Sequence, residues 1–434
     1  MNVSRSYALY AKALERIPGG TQLISRRPTR FAGGVSPVYA ASAKGARFTD
    51  VDGNEFIDWS SGIGSIYLGY ADAVVDEAVI AQISRGTIYS INHELEIELA
   101  DELIARVPCA EMVRYAKCGG EACAMAVRIA RGVTGRDKIL FSGYHGWHDW
   151  YLAANLDAGE SLDSHLFPGI EPVGVPRALR GTSIPFPWGD AQALSKALDR
   201  HSGEIAAVIL EPFRSQEPPA GYLAEVRRLT EKHGVVLIFD EVSTGFRYSS
   251  GGVQPVVGVT PDIAVFAKSM SNGYPMAAVV GKRAVMEPVA QMFISSLYWS
   301  DTVGLQAALT TLREADRRDA PALLKKTGAA LKSGLNAIAA DTGAPVRCYG
   351  MDTMPALEFT AGDRRVMATL YIQEMAKRGC HGYASFFLNA AQGDSEITQT
   401  LEAAREVFAL LAEDQPERHL VSEISDEPFR RLVK

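Results

Sequence analysis

Reactive side chains stand where apolar runs of this chain end. Val235-Val236-Leu237-Ile238-Phe239 leads directly into Asp240-Glu241, and Ile263-Ala264-Val265-Phe266 leads through Ala267 into Lys268. Ala206-Ala207-Val208-Ile209-Leu210 runs into Glu211-Pro212 in the same way. Runs apolar on both faces read as buried strands, and in open α/β sheets ligands bind beyond the carboxyl ends of the strands. An acid and a lysine at two such exits can share one cleft. The competing reading is bland: acids after strands cap helices, and a single lysine is usually solvated.

Two further stretches add to the pair. Lys117-Cys118-Gly119-Gly120-Glu121-Ala122 opens a helical segment. Glycines there leave backbone N–H groups free at the positive end of the helix dipole, which receives phosphate well; the same pair is also ordinary turn chemistry. Ser142-Gly143-Tyr144-His145-Gly146-Trp147-His148-Asp149 follows the apolar run Lys138-Ile139-Leu140-Phe141. It offers a platform for a flat ring, a metal site through His145, His148 and Asp149, or a packed aromatic turn. No other ligand cluster at a clear spacing joins those three, so no metal is expected. No G-x-G-x-x-G follows an early strand and no G-x-x-x-x-G-K-[ST] occurs, which removes the main support for dinucleotide and P-loop readings. Phosphate cradle, aromatic plate, acid and lysine together describe pyridoxal phosphate. That cofactor needs a phosphate site, a ring stack, an acid at the pyridinium nitrogen and a Schiff-base lysine.

The elements that must position these groups follow a periodic pattern. Helical stretches over Ala71–Ser84, His93–Val107 and Glu121–Thr134 alternate with the apolar runs, which predicts an α/β fold with a mainly parallel sheet between helices. A helix over Tyr7–Ile17 ends at Pro18-Gly19-Gly20. Residues 46–50 and 55–59, around Asp52-Gly53, predict a β-hairpin. One long helical region is expected over Thr302–Ala340, then a strand at Met354–Phe359 and helices near Arg365–Arg378 and Glu396–Glu413. The expected division is an N-terminal segment over 1–70, a large domain over 71–315 and a C-terminal small domain over 316–434.

Composition limits the function classes. The 434 residues are too many for one ordinary core, and 47% hydrophobic content excludes disorder as the dominant state. A net charge of −7 supplies no basic footprint for nucleic acid. No apolar run approaches the length of a membrane span, and the first residues lack a signal-peptide core. Five cysteines make no disulfide framework, so a cytoplasmic location is expected.

The sequence resembles the class III, fold-type I pyridoxal-phosphate aminotransferases, and within them the glutamate-1-semialdehyde 2,1-aminomutase-like members. The likeness runs from Ile17-Pro18-Gly19-Gly20 through the C-terminal lobe. Asp50-Val51-Asp52-Gly53, Tyr144-His145-Gly146, Glu211-Pro212, the run Ile238 to Arg247 and Pro261-Asp262 through Lys268 carry it. The resemblance implies a seven-stranded-type sheet and a small α+β domain built from both ends of the chain. It implies that Lys268 forms the Schiff base, Asp240 pairs with the pyridinium nitrogen, and Val242 and Tyr144 flank the ring. Gly119 and Gly120, preceded by Cys118, would hold the phosphate, and Arg26 would bind a substrate carboxylate, with Arg27 adjacent. A homodimer is implied, with a partner segment near Ser296–Thr302, including Ser296 and Leu297, closing each active site.

Departures from the family pattern bear on substrate and reaction. Lys117-Cys118-Gly119-Gly120 stands where Asn-Ser-Gly-Thr is usual, and Ser296-Leu297-Tyr298 where Gly-Thr-Phe is usual, so three hydroxyls able to bind phosphate are missing. Ala384 falls where true mutases carry an acid, and Gly62-Ile63-Gly64-Ser65 replaces Ser-Trp-Gly-Pro. These changes favour an intermolecular aminotransferase with an amino donor, a carbonyl acceptor and a pyridoxamine phosphate intermediate. An intramolecular aminomutase is the alternative, followed by a racemase or decarboxylase and by a non-catalytic homologue. Trp299 and Tyr298 fit either a pocket wall or an interface, and Glu211 either a network near the cofactor or a turn cap.

Overall fold

The computed structural model describes residues 1–158, 161–165, 169–214 and 216–425. The described residues fold as two compact units, one combining Met1–Asp72 with 322–425, the other Ala73–Pro321. The first unit opens with the helix Ser4–Leu14 and an antiparallel meander, β1 (Ala40–Lys44), β2 (Arg47–Asp50) and β3 (Glu55–Asp58). The Asp-Gly signal makes the turn between β2 and β3 as expected. Asp50 accepts hydrogen bonds from the backbone of Asp52 and Asn54, and Gly53 takes φ +89°.

The second unit carries a seven-stranded sheet. Its strands are β4 (Met112–Ala116), β5 (Lys138–Ser142), β6 (Ser183–Pro185), β7 (Ile205–Leu210), β8 (Val236–Asp240), β9 (Ile263–Phe266) and β10 (Ala277–Gly281). Their order is β4-β10-β9-β8-β7-β5-β6. Only β10 runs against its neighbours; the pairs from β9 through β6 are parallel. Every residue of β7, β8 and β9 is buried, which is why their sequences carry no alternation. The helix Gly119–Thr134 buries Ala122, Cys123, Ala126 and Ala130 among its inward residues and stops at Gly135, φ +65°. Small side chains along that face allow close approach.

The long helical region expected over Thr302–Ala340 holds two helices, Thr302–Arg318 and Ala320–Thr342. Asp319 separates them at φ +49°, a left-handed residue that an Asp tolerates and that carries no glycine signal in the sequence. In the first unit, the chain returns as the hairpin β11 (Val346–Met351) and β12 (Met354–Phe359), the helices Arg364–Lys377 and Asp394–Leu411, and β13 (Cys380–His381), which pairs in parallel with β3.

Candidate active site

Asp240 is the last residue of β8 and only 4% exposed. Its Oδ2 accepts from His145 Nδ1 at 2.7 Å and from Cys123 Sγ at 3.3 Å, and its Oδ1 accepts from Val242 N at 3.0 Å. Burial opposes ionisation, but these donors outweigh it and hold the carboxyl below the usual carboxylate range. Burial and the nearby Asp240 charge push the Cys123 thiol far up, so it stays an S–H donor. Cys123, His145 and Asp240 therefore form a dry anionic point at the sheet's carboxyl end.

Lys268 stands one strand away. Asp240 is in register with Val265 on β9, and the chain leaves β9 through Ala267 into the 3₁₀ turn Lys268–Ser271. Lys268 takes φ +47°, a left-handed conformation that a long side chain rarely adopts. Neighbouring bonds hold it there: Ser269 Oγ donates to Gly245 O at 2.6 Å, and Lys268 Nζ donates to Ser243 Oγ at 2.8 Å. Strain sustained at a reactive side chain fits a functional position.

The helix Gly119–Thr134 opens toward the same end. Its N-cap, Cys118, makes no side-chain capping bond, so the first-turn amides are not satisfied by a cap. A Cβ at Gly119 would lie 2.7 Å from Val242 Cγ1, and one at Gly146 would lie 2.7 Å from Gly120 Cα. These contacts bring the helix mouth against both Val242 and the turn that carries Tyr144 and His145. Gly119, Gly120, Tyr144, Asp240, Val242 and Lys268 are thus gathered at one end of one sheet.

A second tier steadies the Tyr144 turn. Gly143 adopts φ +122°, and a Cβ there would strike Glu211 Oε2 at 2.7 Å. Glu211, buried at the exit of β7, accepts from Tyr144 N at 3.2 Å and faces Arg214 Nε at 3.4 Å. His165 Nδ1 accepts from Gly143 N at 3.2 Å. Burial, with Arg214 and His145 nearby, drives the His165 imidazole down to about 3, so it is neutral and able to accept. The network reading of Glu211 thus matches its contacts.

Other expected residues belong to other segments of the chain. Arg26 belongs to the first unit, exposed at the end of the 3₁₀ turn Ile24–Arg26, where Tyr383 Oη donates to Ser25 O. Ser296 is exposed and Leu297 is 58% exposed. Their segment is tied to the helix mouth further along: Trp299 Nε1 donates to Glu121 Oε1 at 2.9 Å, and Lys117 pairs with Asp301. His145 and His148, considered together for a metal, face different neighbours, Asp240 and Gly120. Sequence reasoning missed Cys123, Ser243, His165 and Arg214. For Ser243 the signal was available, one residue beyond Val242 in the same turn; for the others, sequence distance hid it.

Glu241 plays a separate part. It is fully buried, accepts from Val253 N at 2.7 Å and Gln254 Nε2 at 3.1 Å, and burial raises it from 4.5 to about 7. A carboxyl whose folded value exceeds its unfolded value stabilises fully below the unfolded value, and that contribution is lost as pH rises through the folded one. Relative to Glu241→Gln, the wild type is expected to lose thermal stability between about pH 4.5 and pH 7, then hold a constant offset. Melting curves of both proteins from pH 4.5 to 8.5 check this; parallel curves across that range would refute it.

A sheet with an ionised acid and a lysine at adjacent strand exits, facing an uncapped helix mouth, defines a fold-type I pyridoxal-phosphate-dependent enzyme. The residues present fit the cofactor: an anionic point for the ring nitrogen, amide donors for phosphate and an amine for the aldehyde. Residues 31–385 match the model of the aminotransferase class-III family, and the chain belongs to that family. It is 33% identical over 426 residues to 3-aminobutyryl-CoA aminotransferase of Cloacimonas acidaminovorans, covering 94% of this chain and 98% of that protein. It is 36% identical over 429 residues to glutamate-1-semialdehyde 2,1-aminomutase of Methanothermobacter thermautotrophicus, covering 93% and 99%. Among solved structures, the FumI protein of Sphingopyxis sp. MTA144, in its PLP internal aldimine form, superposes with a TM-score of 0.87 at 27% identity. That match covers 97% of this chain and 99% of the other.

Proposed function

We propose that this chain is an intermolecular aminotransferase for carboxylate-bearing donors and acceptors, working as a cytoplasmic homodimer. The observation that carries the reading is the buried, hydrogen-bonded Asp240 one strand away from the strained Lys268. Pyridoxal phosphate, when bound, supplies an aldehyde that captures amines and a ring that accepts electrons. Asp240 holds negative charge for the ring nitrogen, and His145 and Cys123 keep it ionised and fixed in place. Lys268 Nζ, oriented by Ser243, takes the proton from the substrate α-carbon and returns it. Gly119 and Gly120 offer their amides to phosphate, and Val242 and Tyr144 flank the ring.

Arg26 is proposed to pair with a substrate carboxylate. Ala384, which has no acidic side chain where true mutases carry one, supports release of a carbonyl product rather than transfer within one molecule. The homodimer reading draws on the apolar residues that segment 293–298 exposes, Phe293 at 86% and Tyr298 at 67% beside Leu297. Among the described residues, no helix is long and apolar enough to cross a membrane.

The test is a half-reaction screen of the cofactor-loaded enzyme against α-, β- and ω-amino acids, a 3-aminoacyl thioester and simple amines. An aminotransferase consumes the cofactor's visible absorbance with one donor, releases a carbonyl product and stops until an acceptor is added. An isomer of unchanged mass from a single substrate would establish the aminomutase alternative instead. Carboxylate-bearing donors are expected to react best, and Arg26→Ala to weaken them selectively. Sedimentation at the mass of one chain would remove the dimer.

A further inference from the structure

The helix mouth at Gly119 and Gly120 presents amides but no hydroxyl, since Cys118 and Gly120 carry none. A neighbouring side chain fills the space beside it. A Cβ on Gly120 would lie 3.4 Å from both Cε1 and Nδ1 of His148, so the imidazole borders the volume that a side chain at position 120 would use. His148 Nδ1 is itself buried and has no hydrogen-bond partner among the described residues. Buried polar atoms are nearly always satisfied, by protein, water or ligand.

The ring is held in that position from two sides. His148 precedes the short helix Asp149–Leu152, and its carbonyl accepts from Tyr151 N at 2.9 Å and Leu152 N at 3.2 Å. Trp147 stacks on the imidazole, with ring centroids 4.6 Å apart and planes 21° from parallel. The glycine at 120 and the close approach of Gly146 let this turn come near enough for a histidine to reach the mouth.

We propose that His148 is a phosphate-binding residue of the cofactor site, donating from Nδ1 the side-chain hydrogen bond that Cys118 and Gly120 cannot supply. The proposal rests on the pyridoxal-phosphate reading above and concerns only the phosphate end. It accounts for three otherwise separate facts: a glycine at 120, a histidine beside it, and a buried nitrogen without a partner among the described residues. An imidazole there adds a donor without adding a permanent charge.

The experiment measures dissociation constants of the wild type, His148→Leu and His148→Asn for pyridoxal 5′-phosphate and for pyridoxal, which lacks the phosphate. Fluorescence quenching of the apoprotein reads both. His148→Leu is expected to weaken pyridoxal phosphate about tenfold, equivalent to about 1.4 kcal/mol, and to leave pyridoxal within about twofold. His148→Asn, which keeps a donor, is expected to recover part of that loss. Equal weakening of both ligands would make His148 a packing residue, and no change in either would mean water satisfies Nδ1; each result overturns the proposal. If His148→Leu does not fold, by circular dichroism, His148→Ala decides by the same ratio. A wild type that binds neither ligand would instead defeat the pyridoxal-phosphate reading itself.

Discussion

Lys268→Ala is expected to reduce transamination by about 10⁴-fold or more while leaving the fold and cofactor affinity for the phosphate end in place. One amine is asked to do two things, hold the aldehyde and shuttle the α-proton, and general acid–base transfer alone contributes about 10²–10⁴-fold. A loss of 10⁴-fold corresponds to about 5.5 kcal/mol of transition-state stabilisation. The fold should tolerate the change, because Ser269 and Met270 still anchor the turn and Ala is no worse than Lys at positive φ. Single-turnover rates with a good donor give the answer, alongside equilibrium dialysis of the cofactor. Added methylamine should restore a measurable fraction of the rate by replacing the missing proton carrier. Turnover within tenfold of wild type would remove Lys268 from the chemistry.

The reactive pair was legible because fully buried parallel strands read as unbroken apolar runs, and a charged residue ending such a run stands out. Phe239-Asp240 and Phe266-Ala267-Lys268 are cases of this, and β7, β8 and β9 were found within a residue or two of their limits. Three strands of the same sheet gave no such signal. β4, Met-Val-Arg-Tyr-Ala, mixes polar and apolar residues at a sheet edge; β6 has three residues; β10 is Ala-Ala-Val-Val-Gly, small and without flanking contrast. The support around Asp240 was hidden for a different reason. His145 and Cys123 lie 95 and 117 residues before it, and only the parallel sheet and the Gly119–Thr134 helix bring them to one carboxylate oxygen. The sequence showed His145 as a histidine in an aromatic turn, with nothing to pair it with an acid so far along the chain. Gly120 illustrates a subtler limit. A glycine before a helix reads as turn chemistry, whereas its contacts show that it makes room for Gly146 and His148.

Asp240→Asn should cost about 10²–10³-fold in kcat/KM, the range associated with removing one preorganised electrostatic contact. The substitution separates charge from shape. An amide oxygen can still accept from Val242 N, and with the ring proton on Nε2 the Nδ1 of His145 can accept from the new amide. Cys123, a weak donor at 3.3 Å, loses little. What disappears is the negative charge that three donors hold ionised despite burial. Without it, no anion would remain to hold the ring nitrogen of a bound cofactor protonated, and the cofactor's electron withdrawal would weaken. The prediction is therefore a fall in kcat with cofactor still bound, and a bound-cofactor absorbance whose pH dependence differs from wild type. A stability signature accompanies it. Because the folded Asp240 value is depressed, its contribution is present above the unfolded carboxylate range and is lost as pH falls through the folded value. The wild type should lose stability relative to Asp240→Asn on acidification, opposite in direction to the Glu241 effect one residue away. Activity within about threefold of wild type, with cofactor bound, would show that the charge of Asp240 is not what drives the reaction.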